Sequence, residues 1–552
     1  MNKLLFCLFL SCSLQAQQVP DSVITKIDSI FKMYTSSTPG CAVAVQQNGA
    51  VVFQKGYGLA NMEYGIPIRP TTIFHIASES KQYVAFCILL LEKDGKLKLE
   101  DDIRTYLDYV PDFGKKISVR QLILHTSGLR DQWQLLANAG WQLDDVITQE
   151  HVIKLVSRQN ALNFNPGDEY MYCNTGYTLL AEIIKKLSGK SLRQFAEERI
   201  FSPLGMKDTH FHDNYQELVP GRAYSYNGAA GGKYQHAVLS YSIVGATSLF
   251  TTVLDETKWL NNLETGKVGG KELVDKMKIT GALNDGRQLN YAMGQVIGKF
   301  KGWEQIGHGG ADAGYRTYAV RYPEKQLGIV VFSNLGFANP GRLANLIAEV
   351  LITDTKPDTV KSPVYKSDTV LFKKLKGKYY TERGDLAELS FYKGGLFVRM
   401  GNAGMPVELK LSEEAKHRYK LSSGGTMVLN PKELTGDSIV TFEIINPINK
   451  QFFKRQPLKP VPVTAEYEGR FYSDELEAFY SVQFKNGKLE LQHRKFETVP
   501  LTNIAPDQFT SPFWWMSHVR FIRDKNKKVI AFEVNAGRVQ ELEYRKVNKV
   551  NK

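Results

Sequence analysis

The sequence predicts an α+β (α/β) unit, an antiparallel sheet flanked by helices with an all-helical lobe beside it, followed by an all-β, barrel-like C-terminal region. Three observations carry this expectation. Helical and strand-like segments open and close the first 352 residues and enclose a mostly helical stretch. A polar linker rich in Thr, Asp, Lys, Pro and Ser spans 353–370, and beyond it short alternating strand patterns replace helical ones. Within that second part, Leu375-Lys376-Gly377-Lys378-Tyr379-Tyr380 is echoed 92 residues later by Tyr467-Glu468-Gly469-Arg470-Phe471-Tyr472. A chain of 552 residues is also too long for one core.

Residues 1–16 have the pattern of a secretory signal: Lys3, the apolar run Leu4 to Leu10, and small-residue cleavage near Ala16. Cys12 raises a lipid anchor as an alternative, but Phe9-Leu10-Ser11 matches a lipoprotein cleavage box poorly. No other apolar run approaches the roughly 20 residues of a spanning helix, so the protein is expected to be exported, periplasmic or extracellular. In the first unit, 20–352, an amphipathic helix is expected over Val23 to Tyr34. Cys41 to Val45 and Ala50 to Phe53 flank the hairpin turn Asn48-Gly49. A helix starting at Ser78 runs to Lys93 and stops at Asp94-Gly95, and Asp101-Asp102-Ile103 opens a short one. Further helices are expected over Val119 to Leu124, Gly176 to Leu187, Leu192 to Phe201 and Ser248 to Leu263. Strands follow at Tyr291 to Ile297, Gly314 to Arg321 and Leu327 to Phe332, and a helix from Leu343 to Ile352 closes the unit.

The remaining chain divides at Pro457, Pro460 and Pro462 into two barrel-like units, 371–456 and 463–552. Lys and Arg total 70 against 57 Asp and Glu, a formal charge of +13, and residues 371–552 carry 31 basic against 21 acidic side chains. That excess suits an anionic surface such as a cell envelope. No arginine-rich helix or zinc-finger spacing accompanies it, so nucleic acid is not an expected partner. Past the signal only Cys41, Cys87 and Cys173 remain, which is no disulfide framework and no metal spacing. No metal or nucleotide motif is present, and no cofactor is expected.

The chemistry concentrates at Ser78-Glu79-Ser80-Lys81, where a strand-like segment enters a helix. A Ser-x-x-Lys pair on a first helical turn sets hydroxyl and amine on one face, about 5–6 Å apart at Cβ. A long lysine can then take the serine proton. Alone, the pair equally suits an ordinary helix start with a capping serine. Two further motifs stand far along the chain: Tyr172-Cys173-Asn174, after Pro166-Gly167-Asp168, and His308-Gly309-Gly310. His75, His125 and Asp168 are expected to hold loops.

Together with Leu124-His125-Thr126-Ser127-Gly128-Leu129, these three motifs over residues 25–352 resemble the serine beta-lactamase and penicillin-binding-protein superfamily, in the branch of class C beta-lactamases, D-aminopeptidases and related esterases. The resemblance implies that Ser78 is the acylated nucleophile and that Lys81 and Tyr172 activate it and pass its proton. It implies that Asn174 holds Lys81 and a substrate amide or carbonyl, and that His308 lines the opposite wall on an edge strand. Gly309 and Gly310 would leave room for an extended substrate, and the backbone N–H groups of Ser78 and Ala311 would form the oxyanion hole. His308 stands where beta-lactamases proper carry lysine, and imidazole is a weaker, pH-dependent cation for a substrate carboxylate. This directs the expectation to peptides or esters: a D-amino-acid-type peptidase or carboxypeptidase first, then a carboxylesterase, a weak beta-lactamase, or a non-catalytic envelope-binding protein. The partners would be small peptide, ester or beta-lactam-like substrates, cell-wall peptides among them. Cys173, where serine is frequent, is expected to be a buried structural thiol. The resemblance further implies lipocalin-like C-terminal β domains.

Overall fold

The computed structural model describes residues 19–228, 232–356, 369–381, 386–392, 395–400, 407–415, 417–421, 425–430, 441–445, 450–455, 461–495 and 498–547. The expected signal peptide, Cys12, most of the 353–370 linker, Pro457 and Pro460 lie outside the described residues.

The first unit is built on β1 (Cys41–Gln47), β2 (Ala50–Tyr57), β3 (Val296–Phe300), β4 (Trp303–Asp312), β5 (Tyr315–Tyr322) and β6 (Leu327–Ser333). They form one antiparallel sheet in the order β3-β4-β5-β6-β1-β2. Asn48 (φ 53°) and Gly49 (φ 77°) supply the left-handed pair that a two-residue hairpin turn demands. Distant segments meet because β1 pairs along its whole length with β6, from Cys41↔Ser333 to Gln47↔Leu327.

The helices that matter for the site are α1 (Asp21–Ile30), α2 (Ser80–Lys93), α3 (Val119–Ile123), α4 (Gln132–Asn138), α5 (Asn174–Ser188), α6 (Val253–Thr265) and α7 (Pro340–Leu351). Strand alternation divides them between two faces. Val43, Val45, Ile329 and Val331 pack with Ile27 of α1 and Leu343 and Ile347 of α7. Ala42, Ala44, Val330 and Phe332 face the larger core of α2, α5 and α6. From Ser80 to Leu91 every residue of α2 is buried, as a helix surrounded by others requires. Sequence-encoded ends are plain: a Ser118–Gln121 capping box starts α3, and Gly189 (φ 71°) stops α5.

Two expected elements are displaced. The helix assigned to Ser248 to Leu263 begins only at Val253, because Leu249–Thr251 forms a strand against Phe74–His75 and Thr252 caps the helix. The strand expected from Tyr291 begins only at Val296. Gly294 (φ 75°) turns the chain against α2, where a Cβ would stand 2.6 Å from Gln82 Cα.

Beyond the linker the chain forms two closed eight-stranded antiparallel barrels, Gly377–Arg455 and Gly469–Val547. A helix, Thr369–Leu375, starts inside the expected linker and buries Leu371, Phe372 and Leu375 in the first barrel. The repeated motif begins each barrel. Gly377 (φ 152°) and Gly469 (φ 154°) share a backbone region favoured by glycine. A Cβ at Gly469 would lie 2.5 Å from Lys546 on the closing strand. The strands Val499–Ala505 and Gln508–Thr510 were not expected, since Pro500 breaks the strand signature.

The second barrel shares one continuous buried cluster with the helical lobe, whereas the first barrel's core is separate among the described residues. Arg130 is the polar centre of this docking. Its Nη1 lies 2.5 Å from Glu475 Oε2, its Nε and Nη2 donate to the Gln540 and Glu541 carbonyls (both 3.1 Å), and both side chains of the ion pair are almost fully buried (1% and 7% exposed). Asn160 N also donates to Glu475 Oε2 (3.0 Å).

Behind the sheet, Tyr83 of α2 stacks on Trp259 of α6 at 4.4 Å, and Glu79 and Glu256 are buried beside them. Tyr83 donates to Glu256 Oε2 (2.7 Å), while among the described residues neither Glu79 oxygen has a partner within hydrogen-bond geometry. Burial raises the pKa of both, and the neighbouring Glu256 charge adds to the shift of Glu79.

Two stability predictions follow from these buried charges. Glu475→Ala leaves the Arg130 guanidinium buried without its counter-ion and lowers unfolding free energy by about 3–5 kcal/mol; Glu543→Ala, which removes an exposed pair with Arg545, costs less than about 1 kcal/mol. Denaturant unfolding of the two variants checks the contrast. The Glu79–Glu256 pair keeps protons in the fold that the unfolded chain releases above the ordinary glutamate value of 4.5, so its contribution is present at low pH and is lost as pH rises. Glu79→Gln therefore flattens the fall of Tm between pH 5 and pH 8, and an unchanged slope would contradict the shared burial.

Candidate active site

Ser78 lies in a tight turn between the strand Phe74–His75 and α2. Ala77 adopts φ 50° there, a left-handed conformation that costs a residue with a Cβ about 1–3 kcal/mol and survives only where the surroundings enforce it. They do so at three points. His75 Nδ1 accepts from Ala77 N (3.2 Å), Ser80 Oγ donates to Ala77 O (2.5 Å), and Leu249 N donates to Ser80 Oγ (3.1 Å). The turn presents Ser78 at the N-terminal end of α2, in a cavity of about 690 Å³ between the sheet and the helical lobe.

Lys81, one helical turn on, is completely buried. Its Nζ is 3.2 Å from Ser78 Oγ, 2.9 Å from Asn174 Oδ1 and 2.6 Å from the Ala246 carbonyl. Burial brings its pKa down to about 7, opposed by the charges of Asp312 and Asp131 and reinforced by Arg538. A neutral amine has two hydrogens and one lone pair. Asn174 Oδ1 and Ala246 O can only accept, so they take the hydrogens and leave the lone pair for the Ser78 hydroxyl. Asp131 sets the amide that makes this work. Its Oδ2 accepts from Asn174 N (2.7 Å) and Nδ2 (2.8 Å), which turns Oδ1 toward Lys81, while its Oδ1 caps α4 through Trp133 N (3.1 Å). Asn174 thus spends both ends of its amide on protein groups.

Tyr172 covers the other side of Lys81, with Nζ 4.9 Å from its ring centroid. The hydroxyl is buried, and among the described residues it has no partner within hydrogen-bond geometry. Burial raises its pKa, and Ser78 nearby opposes that shift. His125, in a left-handed conformation (φ 59°), packs its ring on Tyr172 at 4.2 Å and accepts from Cys173 N at 3.0 Å. Asp168 accepts from Asn284 (2.8 Å), and His75 bridges to Thr247 Oγ1 (3.2 Å). The Cys173 thiol is buried and free, as are Cys41 and Cys87, and burial pushes its pKa up to about 12.

His308, Gly309, Gly310 and Ala311 lie on β4, and three expectations for them change. β4 is not the edge strand, because β3 lies outside it. Yet β3 stops opposite Gly307, so from His308 onward that side of β4 is uncovered. Backbone direction alternates along a strand. Gly309 and Ala311, in phase with Gly307, therefore turn their N–H and C=O groups away from β5 and into the cavity. Second, Gly310 does not make room for substrate: a Cβ there would lie 2.1 Å from the Ile76 carbonyl, so the glycine lets the Ser78 turn approach the sheet. Third, His308 is no cation. Burial and the Lys81 charge bring its pKa down to about 4. Its Nδ1 lies 2.7 Å from the Gly309 carbonyl and so carries the hydrogen, which leaves Nε2 to accept from the Tyr291 hydroxyl at 3.2 Å.

Ser78, Tyr172, Asn174, His308, Gly309, Gly310 and Ala311 all line the one cavity, with Lys81 directly beneath. The arrangement can deprotonate a hydroxyl, and Ala311, with its N–H turned from β5, lines the same cavity as Ser78. Asp131, Ala246, Thr247, Asp312 and Arg538 also belong to the site and were not anticipated. Asp131 follows the His125-to-Leu129 motif by two residues, a signal too short to recognise; the others have none. Among the described residues one group has metal-ligand spacing, His210, His212 and Glu217. There both Glu217 oxygens are already taken by Arg193.

The beta-lactamase family model matches residues 27–353. D-aminopeptidase of Brucella anthropi is 30% identical over 302 residues, 54% of this chain and 56% of its own. D-aminopeptidase of Gluconobacter oxydans is 25% identical over 320 residues, 58% of this chain and 60% of its own. The chain thus spans only somewhat over half the length of these relatives. Among solved structures, the octameric penicillin-binding protein homologue from Pyrococcus abyssi superposes with a TM-score of 0.54 at 22% identity, covering 87% of this chain and 98% of that one. A penicillin-binding protein from Bacillus halodurans gives 0.52 at 20% identity over 61% of this chain and 100% of its own. At these identities the two structures speak for the fold alone. With a family match over more than half its length, the chain belongs to the beta-lactamase family.

Proposed function

We propose that the protein cleaves amide or ester bonds of small D-amino-acid peptides or their derivatives through an acyl-enzyme on Ser78. The observation that carries this is the buried Lys81, whose three polar neighbours are satisfied together by a neutral amine with its lone pair on the Ser78 hydroxyl. In the proposed reaction, Lys81 Nζ takes the Ser78 proton as Oγ attacks the carbonyl carbon. The N–H groups of Ser78 and Ala311 receive the developing oxyanion. The proton then passes from Lys81, with Tyr172 at hand, to the leaving amine or alcohol, and water repeats the sequence to release the acid. The D-amino-acid direction rests on similarity to D-aminopeptidases, of which this chain spans somewhat over half. The neutral His308 supports a peptide or ester substrate over a beta-lactam. We further propose export to the periplasm or exterior through residues 1–16, and we read the two barrels as lipocalin-like, since each has eight antiparallel neighbours closing in order.

Two experiments test the catalytic assignment. A fluorophosphonate or fluorescent penicillin is expected to label the protein, with the adduct mapping to Ser78, and Ser78→Ala is expected to lose both label and turnover. No adduct with several acyl donors, together with undiminished turnover in Ser78→Ala, would sink the assignment; a panel of D-residue peptides, simple esters and a cephalosporin ranks the substrates. For the base, kcat/KM on an uncharged ester is expected to rise with pH through about 7 as Lys81 loses its proton. Lys81→Met is expected to abolish that ascending limb and to lower turnover by roughly 10²–10⁴-fold.

A further inference from the structure

The last hairpin of the second barrel enters the catalytic cavity. Gly537 and Arg538 join the strands Val529–Ala536 and Val539–Val547, and Arg538 lines the same cavity as Ser78, Tyr172 and His308. The hairpin is held from several sides by the helical lobe. Arg538 N donates to Gln134 Oε1 (2.6 Å), and Arg538 O accepts from Asp131 N (3.2 Å) and Asn163 Nδ2 (2.9 Å). Gln134 Nε2 donates to the Ala536 carbonyl (2.5 Å).

The side chain is held more loosely, by one long ion pair and one ring contact. It is 43% exposed, and its guanidinium lies over the Tyr172 ring at 4.9 Å from the centroid. Its Nη1 forms an ion pair with Asp131 Oδ2 at 3.7 Å, too long for a hydrogen bond, and that oxygen already accepts twice from Asn174. Among the described residues the guanidinium donates no hydrogen bond, although its planar fork is suited to a carboxylate.

The other basic groups at the cavity are differently placed. Lys81 is buried and spent on Ser78, Asn174 and Ala246. His308 is neutral. Arg316 faces Asp312 and donates from Nη1 to the Ala313 and Tyr315 carbonyls. The acidic groups are also engaged, Asp131 by Asn174 and Trp133 and Asp312 by Thr247. With an aromatic wall at Trp133 and Phe337, the cavity presents apolar surface, outward backbone groups on β4 and one open guanidinium.

We propose that Arg538, delivered by the second barrel, anchors a carboxylate of the substrate, so that the preferred substrates are short peptides or acyl-amino acids with a free carboxylate rather than their neutral amides. This rests on the Ser78 acyl-enzyme reading and adds the substrate's charge to it. Arg538 is a binding residue in this scheme, and the barrel is part of the binding site.

The test compares kcat/KM of the full chain on a D-residue peptide with a free terminal carboxylate, on the same peptide as its terminal amide, and on an uncharged nitrophenyl ester. Wild type is expected to favour the carboxylate over the amide at least tenfold. In Arg538→Gln the ratio is expected to collapse toward one, mainly through KM, and Arg538→Lys to retain part of it. Circular dichroism and Tm report whether the variants fold, and the wild-type ratio stands independently of them. Ester turnover without a carboxylate preference, or a preference that persists in folded Arg538→Gln, overturns the anchor and leaves the acyl-enzyme intact. Absence of turnover on all three, with no adduct at Ser78, overturns both.

Discussion

The site depends on one constraint, a lysine amine buried beyond the reach of solvent. Desolvation of Lys81 disfavours its charged form, and the two carbonyl oxygens around it consume the hydrogens of the neutral one. What remains is a lone pair, and its direction is set by the Ser78 hydroxyl. A lysine on an exposed helix face would keep a pKa near 10.4 and be a cation at neutral pH. The Ser-x-x-Lys spacing brings the groups near each other; burial makes one of them a base.

That burial has structural conditions. The turn at Ala77 must be forced into the left-handed region, and the sheet must approach the Ile76 carbonyl closely enough that only glycine fits at position 310. Thr317 Oγ1 donates to that same carbonyl at 3.0 Å, tying β5 to the Ser78 turn. The residue after Ser78, Glu79, is driven fully into the core. A buried carboxyl beside Ser78 is a local cost, which the apolar packing of α2 with α6 offsets.

Most of this architecture was legible where a local rule determines it. Asn48-Gly49 made its hairpin, Gly189 ended its helix, and the polar run after the closing helix preceded a change to β structure. The repeated Gly377 and Gly469 motifs start the two barrels because the closing strand crosses there. Legibility failed where tertiary contact overrode sequence pattern. Tyr291 has strand character but is drawn into the aromatic wall against His308. His308 looks from sequence like a switchable cation, and only its burial and its Gly309 and Tyr291 contacts make it neutral. Ala246 acts through a carbonyl, which no side-chain motif can report. Asp131 and Arg538 are separated by hundreds of residues and are brought together by the docking of a barrel on a lobe.

That docking has a physical consequence for catalysis. The chain reaches the second barrel only after traversing the first, yet it is the second that shares a core with the helical lobe. Arg130 and Glu475 are stable in that apolar setting only as a pair, so separation of barrel and lobe must be opposed by both hydrophobic burial and the cost of baring two charges. Asp131, the next residue along from Arg130, donates its N–H to the Arg538 carbonyl and with its carboxylate orients Asn174, which in turn orients Lys81. The contacts from barrel to base are therefore continuous: Arg538, Asp131, Asn174, Lys81. A barrel that merely decorated the enzyme would have no such path. Here the same hairpin backbone that secures the barrel to the lobe holds the residue that positions the Lys81 ligand, so the barrel's seating and the geometry of the base are a single mechanical problem.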